Sequence, residues 1–166
     1  YARRMVELGA PADRVNVTGS VKFDGVSLQR DESRLRALRA ELGIAAGERV
    51  LLAGSTHAPE EERVLECYKQ LRSEFPELRL VIAPRHQERF AEVAGLIEAA
   101  RWQVRRRSQS DTADTSPAPP VVLLDTLGEL SACWGLAEVA FVGGSLSTRG
   151  GQNVLEPCAV GAAVVV

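Results

Sequence analysis

Apolar residues recur along this chain as short unbroken runs that alternate with longer, one-sided stripes. Val50 to Ala53, LRLVIA from Leu78, VVLLD from Val121, AEVAFV from Ala137 and AAVVV from Ala162 show no polar alternation, as strands covered on both faces require. QVRRRS from Gln103 is a weaker run of the same kind. Between the runs, PEEERVLECYKQLRSEF places Val64, Leu65, Tyr68, Leu71 and Phe75 on one stripe, and the stretch after PRH places Phe90, Val93, Ala94 and Ile97 on another. That spacing predicts helices lying on a sheet. Glu60 to Glu62 fall in the first turn of the former helix, where the helix dipole favours negative charge, and Pro76 ends it. Strand and helix in alternation predict an α/β domain with a Rossmann-like, doubly wound parallel sheet.

The flanks are read the same way. Met5, Val6 and Leu8 among charged residues, closed by Gly9, predict the last turns of a helix. RVNVTGSV, residues 14–21, alternates like a short strand, and residues 22–29 lose all period, as a linker does. Asp31 or Ser33 is placed to cap a helix with Leu35, Leu38 and Leu42 on one face, ending at Gly43. SQSDTADTSPAPP is a solvated loop by composition, and TLGELSACWGLA is a helix opened by a capping box of Thr126 and Glu129.

In a parallel sheet, ligands bind outside the carboxyl ends of the strands. That edge receives Gly54, Ser55, Thr56 and His57 after the first strand, Arg85 and His86 after the second, Asp125 and Thr126 after the fourth, and Gly143, Gly144 and Ser145 after the fifth. The last three open GGSLSTRGGQNVLEP, with four glycines in nine positions, then Asn153, then Glu156. Glycines let a backbone approach a ligand closely, and a helix start offers unpaired N–H groups to an anion. The layout suits an anionic, hydroxyl-rich ligand such as a nucleotide or nucleotide sugar.

Each of these residues also has a structural reading. Asn153 and Glu156 have the spacing of a capping box, and equally of a carboxylate that accepts two sugar hydroxyls. Glu129 is explained by its own box, whereas Gly128 inside a first helical turn costs about 1 kcal/mol relative to alanine and calls for close approach by a ligand. Arg85 can clamp a phosphate or pair with a surface carboxylate. His57 and His86 can act as acid, base or phosphate donor, or be solvated. Arg105 to Arg107 read as charge guarding an edge strand, and Trp102 and Trp134 as core fillers.

Composition narrows the partners. The chain has 166 residues, 45% of them hydrophobic, and a formal net charge of -2, so no basic footprint points to nucleic acid. Cys67, Cys133 and Cys158 lack metal-site spacing and are expected to be buried thiols; no metal site is expected. No apolar run approaches the roughly 18 residues that span a bilayer, so this stretch is expected to be soluble. The start at Tyr1 and the end inside AAVVV read as cuts in a longer chain.

The succession VTGSVKFD, LLAGSTH before a run of Glu, VIAPRH before ERF, LLDTLGEL, and VAFVGGS with RGGQNVLEP resembles the 3-deoxy-D-manno-octulosonic acid (Kdo) transferases of Gram-negative bacteria over nearly the whole chain. These are GT-B glycosyltransferases that pass Kdo from CMP-Kdo to the lipid A precursor. The resemblance implies that residues 1–24 are the end of the N-terminal half and the hinge, and residues 25–166 the C-terminal donor-binding domain. It implies that Arg85, the turn at Gly128 and Glu129, Asn153 and Glu156 grip CMP, with Glu156 on the ribose. Ser55, Thr56 and His57 would face the transferred sugar or its phosphate, and His86, Gly144 and Ser145 complete the donor-binding set. It further implies no cofactor or metal, no catalytic residue in this stretch because the base is a Glu of the N-terminal half, and work at the cytoplasmic face of the inner membrane. Ser20 stands where the family pattern has Asn, and Gln152 where it has His, a position that here cannot carry a proton. A UDP-sugar transferase or epimerase domain, and a noncatalytic interaction module, are the rival readings.

Overall fold

The computed structural model describes residues 1–19, 31–109, 121–147 and 150–166. Six strands, β1 (Arg49–Thr56), β2 (Leu78–Pro84), β3 (Val104–Arg106), β4 (Val121–Leu123), β5 (Val139–Val142) and β6 (Ala163–Val165), form one sheet in the order β3-β4-β2-β1-β5-β6. Every pairing is parallel. The sequence-based expectation of a doubly wound α/β fold is met, with the apolar runs as its strands.

The pleat sends alternate residues of each strand to different layers. Val50, Leu52, Val81, Ala83, Val122, Ala140 and Val142 pack under α2 (Glu32–Glu41) and the 3-10 turn Trp134–Leu136. Leu51, Ala53, Leu80, Ile82, Leu123 and Phe141 pack under α3 (Glu60–Glu74) and α4 (Phe90–Ala99). Trp134 fills the first layer, and Trp102 lies against Tyr68 in the second, ring centroids 4.9 Å apart. Asp31, not Ser33, caps α2: its Oδ1 accepts from the backbone N–H of Ser33 at 3.0 Å and of Arg34 at 3.1 Å.

Several expectations are corrected. Residues 14–19 form no strand; a 3-10 turn, Ala12–Arg14, is followed by extended chain with Val17 exposed, because alternation without a sheet edge to pair with does not make a strand. The N-terminal helix α1 (Ala2–Glu7) forms as expected, with Gly9 at φ +99 after it. The expected linker, the domain boundary at residue 24, Ser20, and residues 110–120 of the polar loop lie outside the described residues. Arg105 to Arg107 do not simply guard an edge. Arg105 bonds the Glu41 carbonyl at 3.3 Å, Arg106 pairs with Asp125 at 2.9 Å, and Arg107 bridges Glu41 at 2.7 Å and Glu129 at 2.9 Å. Of the cysteines only Cys133 is buried; Cys67 and Cys158 are exposed.

Candidate functional site

β1 and β5 are neighbours, yet the chain leaves β1 toward β2 on one side and leaves β5 toward β6 on the other. Their diverging loops open a crevice at the carboxyl edge, the switch point of such sheets. Two glycines let the backbones converge there. A Cβ on Gly54 would collide with the Trp134 ring, standing 2.6 Å from its Cζ2, and one on Gly143 would stand 2.6 Å from the Thr56 Cα. Between them Ser55 adopts a left-handed φ of +55, where the register of β1 against β2 shifts. A non-glycine residue held there marks a place the surrounding structure over-determines.

Two buried carboxylates hold this crevice. Glu60 is 1% exposed; its Oε2 accepts from the backbone N–H of His57 at 2.9 Å and of Gly144 at 3.0 Å, and its Oε1 accepts from that of Leu146 at 3.2 Å. Glu61, 0% exposed, accepts from the Thr56 hydroxyl at 2.8 Å and from Arg89 at 2.5 Å. All three glutamates lie in the first turn of α3 as expected, but only Glu62 faces solvent. A signal was present in the sequence. Glu60, Val64 and Tyr68 stand at i, i+4 and i+8, and Glu61 and Leu65 at i and i+4, so the apolar stripe carried both glutamates inward.

The expected site residues divide into those occupied within the chain and those open. The Thr56 hydroxyl is bound to Glu61, the Gly144 N–H to Glu60, and the Ser145 hydroxyl to the Val142 carbonyl at 2.9 Å. The anion held by the glycine-rich loop is the chain's own Glu60. Gly128 needs no ligand: it sits at φ +81 in a turn before the helix, with open space around its Cβ position. The helix α5 (Leu130–Cys133) starts after Glu129 without a side-chain cap, so Thr126 and Glu129 are not a capping box. Instead the Thr126 hydroxyl and Arg107 both bind the Glu129 carboxylate. Burial works against its ionisation, but those two bonds outweigh it and hold its pKa below the ordinary value.

The remaining expected residues fall into two groups on the same edge. Arg85 is exposed and, among the described residues, pairs with no carboxylate; its backbone N–H fixes it to the Thr56 carbonyl at 3.0 Å. The rings of His57 and His86 meet edge-on, centroids 5.3 Å apart, with His57 7% exposed and His86 open. Asn153 accepts the Leu155 N–H at 3.1 Å and donates to Glu156 Oε1 at 3.2 Å. Asn153 thus orients Glu156 in the first turn of α6 (Leu155–Ala159), whose N-cap is Val154 without a side-chain cap, so the pair is not a capping box. Among the described residues, no hydrogen bond occupies the second carboxylate oxygen of Glu156.

A cavity of about 360 Å³ lies elsewhere, at the amino edge, lined by Arg36, Arg39, Arg49, Gly135, Glu138 and Gly161 among others. None of the expected site residues reaches it, and Arg49 there is closed by Glu138 through two bonds of 2.9 and 2.7 Å. The expected site residues lie at the carboxyl edge and not in that hollow.

No family model matches the chain. It is 37% identical over 158 residues to the 3-deoxy-D-manno-octulosonic acid transferase of Haemophilus influenzae, covering 95% of this chain and 36% of that protein. It is 39% identical over 166 residues to that of Bordetella pertussis, covering 98% and 37%. The chain spans just over a third of the length of these curated relatives. Among solved structures, the C-terminal CMP-Kdo binding domain of WaaA from Acinetobacter baumannii superposes with a TM-score of 0.69 at 32% identity, over 80% of this chain and 67% of that one. With the sheet order, the switch-point crevice and these matches together, the chain belongs to the 3-deoxy-D-manno-octulosonic acid transferase family.

Proposed function

We propose that this chain is the donor-binding domain of a glycosyltransferase that passes Kdo from CMP-Kdo to the lipid A precursor. The observation that carries the reading is the open set of Arg85, His86 and Glu156 around a switch-point crevice, in a fold shared with a CMP-Kdo binding domain. Glu156 offers its second oxygen to a ribose hydroxyl, while Asn153 holds the first. Arg85 and the His57 and His86 pair face the phosphate and sugar. As the bond from the anomeric carbon to the phosphate oxygen breaks, its electron pair leaves with CMP and the sugar becomes oxocarbenium-like. Positive charge fixed beside the departing phosphate lowers that barrier.

The reading needs no metal. The base that takes the acceptor proton belongs to the rest of a GT-B enzyme at the cytoplasmic face of the inner membrane, beyond residues 1–24 and 25–166 as hinge and donor domain. No helix of the described residues is long and apolar enough to cross a membrane. The chain alone should bind donor weakly and transfer nothing.

Titration with CMP, UMP and UDP, followed through the backbone signals of residues 143–147 and 150–156, tests this. CMP should shift them most. Shifts with UDP and none with CMP would favour a UDP-sugar enzyme. Silence toward all three, with Glu156→Ala altering stability alone, would leave an interaction module.

A further inference from the structure

Glu60 stands out as a buried carboxylate that the reaction above does not use. It belongs to the first turn of α3, yet two of its partners, Gly144 and Leu146, lie 84 and 86 residues away in sequence. Among the described residues no arginine or lysine pairs with it. Its desolvation is offset by three backbone N–H bonds. An apolar side chain would fill the same space without that cost. What the carboxylate adds is direction: it fixes three N–H vectors, from two loops, around two oxygens.

Those loops carry the two halves of the donor site. On one side, the bond from His57 N–H holds the turn after β1, whose His57 ring contacts His86 and whose Thr56 carbonyl accepts the Arg85 N–H. On the other side, Gly144 carries the restraint onward. The Gly151 N–H bonds the Gly144 carbonyl at 2.9 Å, and the Gln152 N–H bonds the Gly143 carbonyl at 3.0 Å. Asn153 and Glu156 follow directly. Glu60 thereby joins the phosphate end and the ribose end of the crevice, beside the backbone bond from the Gly143 N–H to the Gly54 carbonyl at 2.9 Å.

We infer that Glu60 is a positioning residue of the donor site, a buckle joining the glycine-rich loop to the turn after β1, on which nucleotide affinity depends although its carboxylate touches no ligand. The inference rests on the donor-site reading. Glu60→Gln keeps the volume but turns one acceptor oxygen into an NH₂ that faces a backbone N–H. In that variant the Gly144 and Leu146 amide signals should lose the downfield position of bonds to a carboxylate, and CMP affinity should fall at least about tenfold. Tyr68→Phe, which removes a buried bond of 3.1 Å to the Leu78 carbonyl far from the crevice, should lower the melting temperature and leave CMP affinity unchanged. Stability loss alone is thereby separated from loss of position. If Glu60→Gln does not fold, replacing the Leu146 amide by an ester removes one donor, and the same loss of affinity, smaller in size, is expected. Wild-type CMP affinity in Glu60→Gln, or in the ester where that variant is the one that folds, overturns the positioning role. Failure of the unmodified chain to bind CMP overturns the donor-site reading itself, and the buckle's role in it.

Discussion

The two edges of this sheet treat charge in opposite ways. At the amino edge, cations meet anions: Arg49 lies on Glu138 with two bonds and within 3.7 Å of Glu77, and Arg79 reaches both oxygens of Glu48 at 2.8 and 3.0 Å. At the carboxyl edge beside β1 and β5, the buried Glu60 is held by backbone N–H groups, and Arg85 pairs with no carboxylate among the described residues. Charge closed within the chain ties elements together and asks for nothing more. Charge left open next to a rigid, over-determined backbone is available to a ligand. The contrast explains why a cavity at the amino edge carries less functional meaning than the crevice opposite.

The sharpest way to break the contrast is to disturb the converging backbones. Gly143→Ala drives a methyl into the Ser55 and Thr56 backbone; because backbone and not a flexible side chain must yield, it should cost about 3 kcal/mol in urea unfolding and abolish CMP binding. Gly47→Ala, next to the amino edge with open space around it, should stay within about 0.5 kcal/mol. Equal costs for the two would show that the carboxyl edge is no more constrained than its counterpart.

The β3 and β4 corner of the carboxyl edge behaves like the amino edge, and pH reveals it. Asp125, its side chain 3% exposed, accepts from Arg106 at 2.9 Å and from the Ser108 N–H and hydroxyl at 2.8 and 2.6 Å. Burial opposes its ionisation, but the Ser108 and Arg106 bonds outweigh it and hold the pKa below the ordinary 3.8. A depressed folded value means the stabilisation is present above the unfolded pKa and is lost as pH falls through the folded one. Asp125→Asn should therefore cost about 2 kcal/mol near neutrality and flatten the acid limb of the stability profile. An acid limb unchanged by the substitution would remove Asp125 from the structural class.

Next in size is an effect on affinity with none on folding. Arg85→Ala should weaken CMP binding about tenfold or more and move stability by less than about 0.5 kcal/mol. Arg49→Ala should leave CMP affinity untouched. A reversed outcome, with CMP binding sensitive to Arg49, would move the site to the amino-edge cavity.

Much of this architecture was legible in the sequence, and the exceptions have physical causes. The strands were visible because burial on both faces removes polar alternation, and the helices because one stripe of each must face the sheet. The rim was visible because parallel topology fixes which loops share an edge. Which rim groups are open was not. Thr56, Gly144, Ser145 and Glu129 looked available, but their partners Glu61, Glu60, the Val142 carbonyl and Arg107 come from elsewhere in the chain or from backbone geometry. Gly128 misled because a left-handed φ and a ligand's close approach demand the same residue. Residues 14–19 misled because strand pattern says nothing about whether an edge exists to pair with.

The smallest expected effect completes the comparison. Arg49 and Glu138 are nearly half exposed, 44% and 52% at the side chain, so water and salt screen their attraction and holding two long side chains in place opposes it. The Arg49 hydrogen bond nonetheless holds the Glu138 pKa below its ordinary 4.5. The sign is that of Asp125: a contribution present above the unfolded pKa and lost as pH falls through the folded value. Its size should differ. Glu138→Gln should change the urea midpoint barely beyond error at low salt and not at all in molar salt, whereas the Asp125→Asn deficit should persist there because the Asp125 side chain is only 3% exposed. If both deficits vanish in salt alike, the Asp125 pair is as exposed to screening as the Arg49 pair, and the distinction between an open edge and a closed corner must rest on Arg85 and Glu60 alone.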